Sequence, residues 1–207
     1  MPDGSAPVAT LSLFGDAPHA PSGFAYRPEF VSPDEAEALV GQLEQLPFEP
    51  FDFRGFKGNR RTVAFGSRYD FTHGRVKTAE PVPDWLRPLR ARAAAFAGID
   101  DDALLQALIT QYPPGAGIGW HRDRPVFEHV VGVSLYTPAK LRFRRRMPGG
   151  FDRFSVDVAP RSAYLLSSEV RHEWEHSITP GEQLRFSITF RTLSELGRRK
   201  TETQRIS

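Results

Sequence analysis

The second half of the chain is cut into short segments, and this limits the fold more than any other feature of the sequence. From Leu104 onward, runs rich in β-branched and aromatic residues alternate with Gly, Pro and Asp. The expected strands are 105–112, 130–136, 141–145, 154–158, 163–167 and 184–192, with another around 173–176. Each has strand length and is bounded by turn residues. Short strands at this spacing, preceded by two helices, predict an antiparallel double sheet of jelly-roll type. The fold class is therefore α+β, mainly β, with two N-terminal supporting helices.

The first helix is announced by Ser32-Pro33-Asp34-Glu35, a capping box with Pro at the first helical position. Ala36, Leu39, Leu43 and Leu46 then recur at helical spacing. The second runs through Trp85, Leu89, Ala93 and Phe96, its regular part starting at Pro88. Residues 1–24 are rich in Pro, Ala, Gly and Ser and read as a flexible lead-in. Residues 197–207 are polar and read as a frayed tail, which leaves 25–196 as a single domain.

The chain contains no cysteine, so thiolate nucleophiles, zinc ribbons, iron–sulfur clusters and disulfide scaffolds are excluded. Any metal must sit on His, Asp or Glu. No apolar run approaches the roughly 18 residues of a membrane-crossing helix, so no membrane partner is expected. Met-Pro-Asp-Gly-Ser at the start lacks the basic-then-apolar pattern of a secretory signal. The expected location is the cytoplasm and the expected state a monomer. A net charge of +2 permits a polyanionic partner without demanding one.

Chemistry concentrates in His121-Arg122-Asp123 and, far downstream, Arg171-His172-Glu173-Trp174-Glu175-His176. On an extended strand residues i and i+2 share a face, so His121 and Asp123 can hold one ion together. A His from a distant strand completes a two-His, one-carboxylate face, the ligand set of non-haem Fe(II) sites that activate oxygen. Zinc accepts the same ligands but performs no redox chemistry. His172 and His176 both qualify as the third ligand, and either could instead be exposed. A third segment is Leu184 to Arg191: Leu184, Phe186, Ile188 and Phe190 share one parity, and Arg185, Ser187, Thr189 and Arg191 the other. The polar set is either a wet sheet face or, around a metal, a lining able to grip a small dicarboxylate through planar guanidinium forks.

These elements together resemble the AlkB family of Fe(II)/2-oxoglutarate-dependent dioxygenases. His121-x-Asp123, His176, Arg185 and Arg191 stand in the family's order, preceded by Tyr112-Pro113-Pro114-Gly115-Ala116-Gly117-Ile118-Gly119-Trp120. The similarity runs from about Gln106 to Leu193, more weakly back to Phe51. Arg171, Trp174 and Ile178 match the family's surroundings of the distal His, which assigns His176 rather than His172 to the metal.

The resemblance implies a double-stranded β-helix core, with Fe(II) held by His121, Asp123 and His176 as catalytic residues. It implies 2-oxoglutarate and O2 as cosubstrates. Arg185 and Tyr112 would take the distal carboxylate, Thr110 and Ser187 would line the site, and Arg191 would lie near its other end. It also implies oxidation of an N-methyl carbon, with release of formaldehyde, succinate and CO2. Two positions depart from the pattern. Thr110 stands where Asn is usual, and Arg124-Pro125-Val126 follows the metal carboxylate where nucleic-acid repair members carry acidic residues.

Residues 51–71 interleave basic and aromatic side chains and lie where relatives place a substrate-recognition lid. Arg61, Phe65, Arg68, Tyr69 and, beside the metal, Arg124 are the candidate substrate contacts. Such a composition suits a single-stranded or flipped nucleotide; it also suits a solvated hairpin or long loop. Arg142, Arg144, Arg145 and Arg146 form a second basic stretch, either one side of a groove or a wet strand edge. The first reading is therefore demethylation of N-alkylated DNA or RNA, which would make the chain a DNA-repair or RNA-demethylation enzyme. The alternatives are an oxygenase of a protein or small molecule, and a catalytically silent nucleic-acid-binding module.

Overall fold

The computed structural model describes residues 20–53, 56–70 and 74–202. Most of the expected lead-in, residues 54, 55 and 71 of the expected lid, and residues 203–207 of the tail lie outside them. The described chain opens with strand β1 (Phe24–Arg27) and helix α1 (Pro33–Glu44). Four strands follow, β2 (Glu49–Phe53), β3 (Phe56–Phe65), β4 (Ser67–Asp70) and β5 (Arg75–Thr78). Helix α2 (Arg87–Ala97) precedes β6 (Leu104–Tyr112), β7 (Ile118–His121), β8 (Phe127–Leu135) and β9 (Ala139–Met147). Next come β10 (Gly150–Val158), β11 (Ala163–Leu166) and a short helix α3 (Ser168–His172). The last elements are β12 (Glu175–Ile178), β13 (Arg185–Leu193) and helix α4 (Glu195–Glu202).

The strands form a seven-stranded sheet, β1-β11-β8-β13-β6-β3-β2, facing a four-stranded sheet, β10-β9-β12-β7, with β4 and β5 as a separate pair. Every strand pairing is antiparallel. This is the two-sheet architecture of a jelly roll.

Both faces of the larger sheet are covered. On one, Ala107, Ile109, Val131, Val133, Phe186, Ile188 and Phe190 pack with Leu39 and Leu43 of α1 and Leu89 and Ala93 of α2. Burying such a side chain contributes about 1.5–3 kcal/mol, so these two helices anchor the sheet from behind. On the other face, Tyr112, Val130, Tyr164 and Leu166 meet Leu141, Phe143 and Ile178 of the smaller sheet. The polar parity of β13 is consequently covered as well, with Arg185, Ser187 and Thr189 buried and Arg191 partly buried.

The local signals act as their chemistry demands. Ser32 caps α1, its hydroxyl accepting from the Glu35 N–H at 3.1 Å. Gly98, at φ 68°, ends α2 in the left-handed conformation.

Two segments depart from the sequence expectation. Residues 168–172 form α3 where no helix was expected. The tail expected to fray from Leu196 is α4, docked by backbone rather than by an apolar stripe. Its Gly197 lies so close to the Val126 carbonyl that a Cβ would stand 2.3 Å from the oxygen. Of the two readings of the basic-aromatic stretch after Phe51, hairpin or long loop, the structure has the hairpin: β2 pairs with β3, and β3 joins the larger sheet beside β6. No described helix is long and apolar enough to cross a membrane.

Candidate metal and 2-oxoglutarate site

Strand register brings the candidate metal ligands together. His176 on β12 pairs directly with His121 on β7, their ring centres 4.3 Å apart. Asp123 follows two residues after His121, and one ligand atom from each of the three lies within 4.8 Å of the others. The Gly119 carbonyl lies 2.9 Å from His121 Nδ1. A carbonyl can only accept, so Nδ1 carries the proton and Nε2 is left to ligate. His172, the rejected alternative, is exposed at the end of α3, 2.8 Å from Glu128.

The electrostatics keep the ligands in their metal-binding forms. Burial lowers the His176 pKa to about 3, with His121 adding to the effect, so the imidazole is neutral. Burial alone would raise the Asp123 pKa, but Arg191, the two His residues and Arg171 outweigh it and hold the carboxyl well below its usual range. Asp123 Oδ1 accepts from Arg191 at 3.4 Å, while the buried Oδ2 has no hydrogen-bond partner among the described residues. An ionised carboxylate with an orphaned oxygen beside two imidazoles fits a divalent cation such as Fe(II). Arg171 holds the following loop through the Arg124 and Phe127 carbonyls, at 2.5 and 2.6 Å.

The inner face of β13 pairs with the inner face of β6: Arg185 with Tyr112, Ser187 with Thr110, Arg191 with Gln106. Tyr112, Thr110, Ser187 and Arg185 are all buried. Arg185 Nε donates to Ser134 Oγ at 3.1 Å, its guanidinium lies 4.9 Å from the Tyr112 ring centre, and its Nη1 is buried without a hydrogen-bond partner among the described residues. That donor suits a carboxylate. Arg191 is already engaged, donating to Gln106 at 3.0 Å and to Asp123. The two arginines therefore divide the site: Arg185 offers its Nη1, and Arg191 steadies the Asp123 carboxylate. A cavity of about 380 Å³ opens at the Arg185 end, lined by Tyr112, Ala116, Lys140, Ile178 and Gln183 among others. It does not reach the triad.

Strand parity sorts the candidate substrate contacts. Arg61 pairs with Gln111 and donates to the Phe48 carbonyl at 2.6 Å, and Phe65 packs against the helix-facing core. Both therefore lie on the sheet face turned away from the triad, contrary to expectation. Arg68 is exposed on β4. Tyr69 does adjoin the site: Arg124, next to Asp123, lies 5.5 Å over its ring.

Two residues not singled out from sequence also line the interior. Arg60 shares its face with Thr62, which pairs with Thr110. Its guanidinium stacks 3.8 Å over Phe51 and is held below its ordinary pKa by burial, with Tyr112 and Arg191 as electrostatic neighbours. The alternation of Arg60 and Thr62 with Arg61, Val63 and Phe65 is the signal that separates them. The second is Tyr164, whose ring crosses Gly132 so closely that a Cβ there would lie 2.2 Å from Cζ. Burial pushes its phenol up to about 12.

Comparison with known proteins supplies the family. Residues 23–207 match the family model described as the 2OG-Fe(II) oxygenase superfamily. The chain belongs to this superfamily. Among curated relatives, it is 27% identical over 184 residues to the "Alkylated DNA repair protein ALKBH8 homolog" of Arabidopsis thaliana, covering 75% of this chain and 50% of that protein. It is 25% identical over 202 residues to the human "Alpha-ketoglutarate-dependent dioxygenase alkB homolog 4", covering 80% and 65%. The chain thus spans half to two thirds of these relatives. The solved structure titled "The structure of OsALKBH1" superposes with a TM-score of 0.65 at 14% identity, covering 84% of this chain and 98% of that one. This oxygenase is of the AlkB type, a dioxygenase using Fe(II), 2-oxoglutarate and O2.

Proposed function

We propose that this AlkB-type oxygenase demethylates N-alkylated nucleic-acid bases, in DNA or RNA, and acts as a monomer. The observation that carries the reading is the pairing of a cation with a ring at two places, Arg60 over Phe51 on the inner face of β3 and, next to Asp123, Arg124 over Tyr69. Rings and guanidinium planes take the faces of an unstacked base, and the cations meet its phosphates.

His121, Asp123 and His176 would hold the iron, which when bound supplies the oxidative chemistry with O2 and 2-oxoglutarate. Arg185 would pair with the distal carboxylate of 2-oxoglutarate through its free Nη1, Tyr112 and Thr110 placing hydroxyls nearby. Arg191 would keep Asp123 ionised and aimed. The closed apolar packing around Phe143 and Trp174 would exclude water behind the ligands. The substrate's N-methyl carbon, once hydroxylated, leaves as formaldehyde and restores the N–H.

A protein or small-molecule substrate is the second reading, favoured by Arg124-Pro125-Val126 after the metal carboxylate. Formaldehyde release, measured with Fe(II) and 2-oxoglutarate over methylated single-stranded oligonucleotides and methylated peptides, separates the two. Release from oligonucleotides is the expected result; release from peptides alone would overturn it.

A further inference from the structure

The basic run on β9 is split by the pleat. Arg145 turns inward, ion-paired with Glu169, Glu173 and Asp152 and lying 4.9 Å from the Trp174 ring centre. Lys140, Arg142, Arg144 and Arg146 turn outward, joined across the strand pair by Phe151 and Arg153 of β10. Trp120 of β7 completes the face. The result is a continuous ladder of rings and guanidiniums. Arg142 and Arg144 lie 5.0 and 4.5 Å from the Trp120 ring centre. Arg144, Arg153 and Arg146 lie 4.8, 5.4 and 5.7 Å from that of Phe151.

Charge on this face is only partly balanced. Lys140 pairs with Asp157 and Arg144 with Glu175. Arg142 donates to the neutral Ser177 hydroxyl, and Arg146 and Arg153 have no ion pair among the described residues. Edge protection accounts for cations on outer strands, but β9 is flanked on both sides, by β10 and β12. The face also adjoins the metal end of the barrel: Trp120 immediately precedes His121, Glu175 precedes His176, and Arg144 pairs across the strands with Glu175.

The geometry points to the outer face of β10-β9-β12-β7 as a platform for single-stranded nucleic acid, holding the nucleotides that flank the base in the iron site. Rings with interleaved guanidinium planes on an open sheet are a sequence-tolerant surface for stacked bases, and the three cations without acidic partners match a phosphate backbone. This rests on the nucleic-acid reading above and names where such a strand lies.

The test uses the full chain and a fluorescein-labelled, unmodified 20-nucleotide single strand, read by anisotropy between 50 and 200 mM salt. Arg146→Glu with Arg153→Glu is expected to weaken binding at least tenfold and to flatten the log–log salt slope by more than one, at about 0.7 per phosphate contact on a single strand. Phe151→Ala is expected to weaken it about tenfold by loss of a stacked base. Arg146→Lys with Arg153→Lys keeps the charge and should retain the slope, which separates lost contacts from misfolding. Substrate-free succinate production and turnover of a methylated nucleoside should stay at the wild-type level in every variant.

Wild-type affinity and slope in the charge-reversed variant would overturn the platform, even with demethylation of oligonucleotides intact. So would loss of binding to anionic vesicles or acidic peptides while oligonucleotide binding persists. Failure of the function reading looks different: the wild-type protein itself neither binds nor demethylates any oligonucleotide.

Discussion

Arg191 Nη2 donates to Asp123 Oδ1 at 3.4 Å, and both side chains are 11% exposed. This contact ties the metal carboxylate on the loop after β7 to the inner face of β13, in the opposite sheet. Arg191→Gln should therefore weaken Fe(II) binding by about 10- to 100-fold, the usual effect of losing a partner that orients a metal ligand. Titration with Mn(II) or with anaerobic Fe(II) reads this directly. Unchanged affinity would show that Arg191 does not act through Asp123.

Arg185 lies at the other end of the strand, and its buried Nη1 has no hydrogen-bond partner among the described residues. Arg185→Met should raise KM for 2-oxoglutarate by about 10- to 150-fold, the value of one hydrogen bond to a charged group. Metal affinity should stay near wild type. Succinate formation as a function of 2-oxoglutarate concentration is the measurement; an unaltered KM would remove Arg185 from the cosubstrate site.

Arg60 and Arg61 are neighbours with opposite fates. Arg60→Ala should depress turnover of the methylated substrate at least tenfold, leaving substrate-free 2-oxoglutarate consumption intact. Arg61→Ala, on the helix side of the sheet, should affect only stability, by about 0.5–1.5 kcal/mol for its single bond to Phe48. Equal losses of activity in the two variants would contradict the strand parity.

Gly132 is the one inner position of β8 over which the Tyr164 ring passes. Gly132→Ala must move that ring or the backbone, at a cost of about 1–3 kcal/mol. A fall in Tm of about 2–4 °C per kcal/mol is expected for a chain of this size. Tyr164→Phe should leave Tm much closer to wild type.

The ligand set was legible because each part of it is local or periodic. His121 and Asp123 are two residues apart, Phe186, Ile188 and Phe190 mark the helix-facing parity of β13, and Ser32 with Glu35 marks the start of α1. The parts that escaped depend on partners elsewhere in the chain. Arg61 and Phe65 look as suited to a lid as Arg60 does until β3 is paired with β6, which decides the face each one takes. Arg145 reads as one of four like charges until the pleat turns it toward Glu169 and Glu173. The four residues of β7 are too short a run to announce a strand, and its one strand partner among the described residues is β12, more than fifty residues downstream. The tail was misjudged because α4 is held by close approach and backbone bonds, which leave no apolar pattern to read.

That last helix has a temporal meaning. Ser194 donates its N–H to the Val126 carbonyl at 2.9 Å and its hydroxyl to Pro125 at 2.6 Å, so the start of α4 fastens the loop that begins at Asp123. These bonds join positions almost seventy residues apart. During synthesis on the ribosome, the loop stays unfastened until the residues near 194 have cleared the exit tunnel. The candidate metal centre is thus among the last parts of the chain to set.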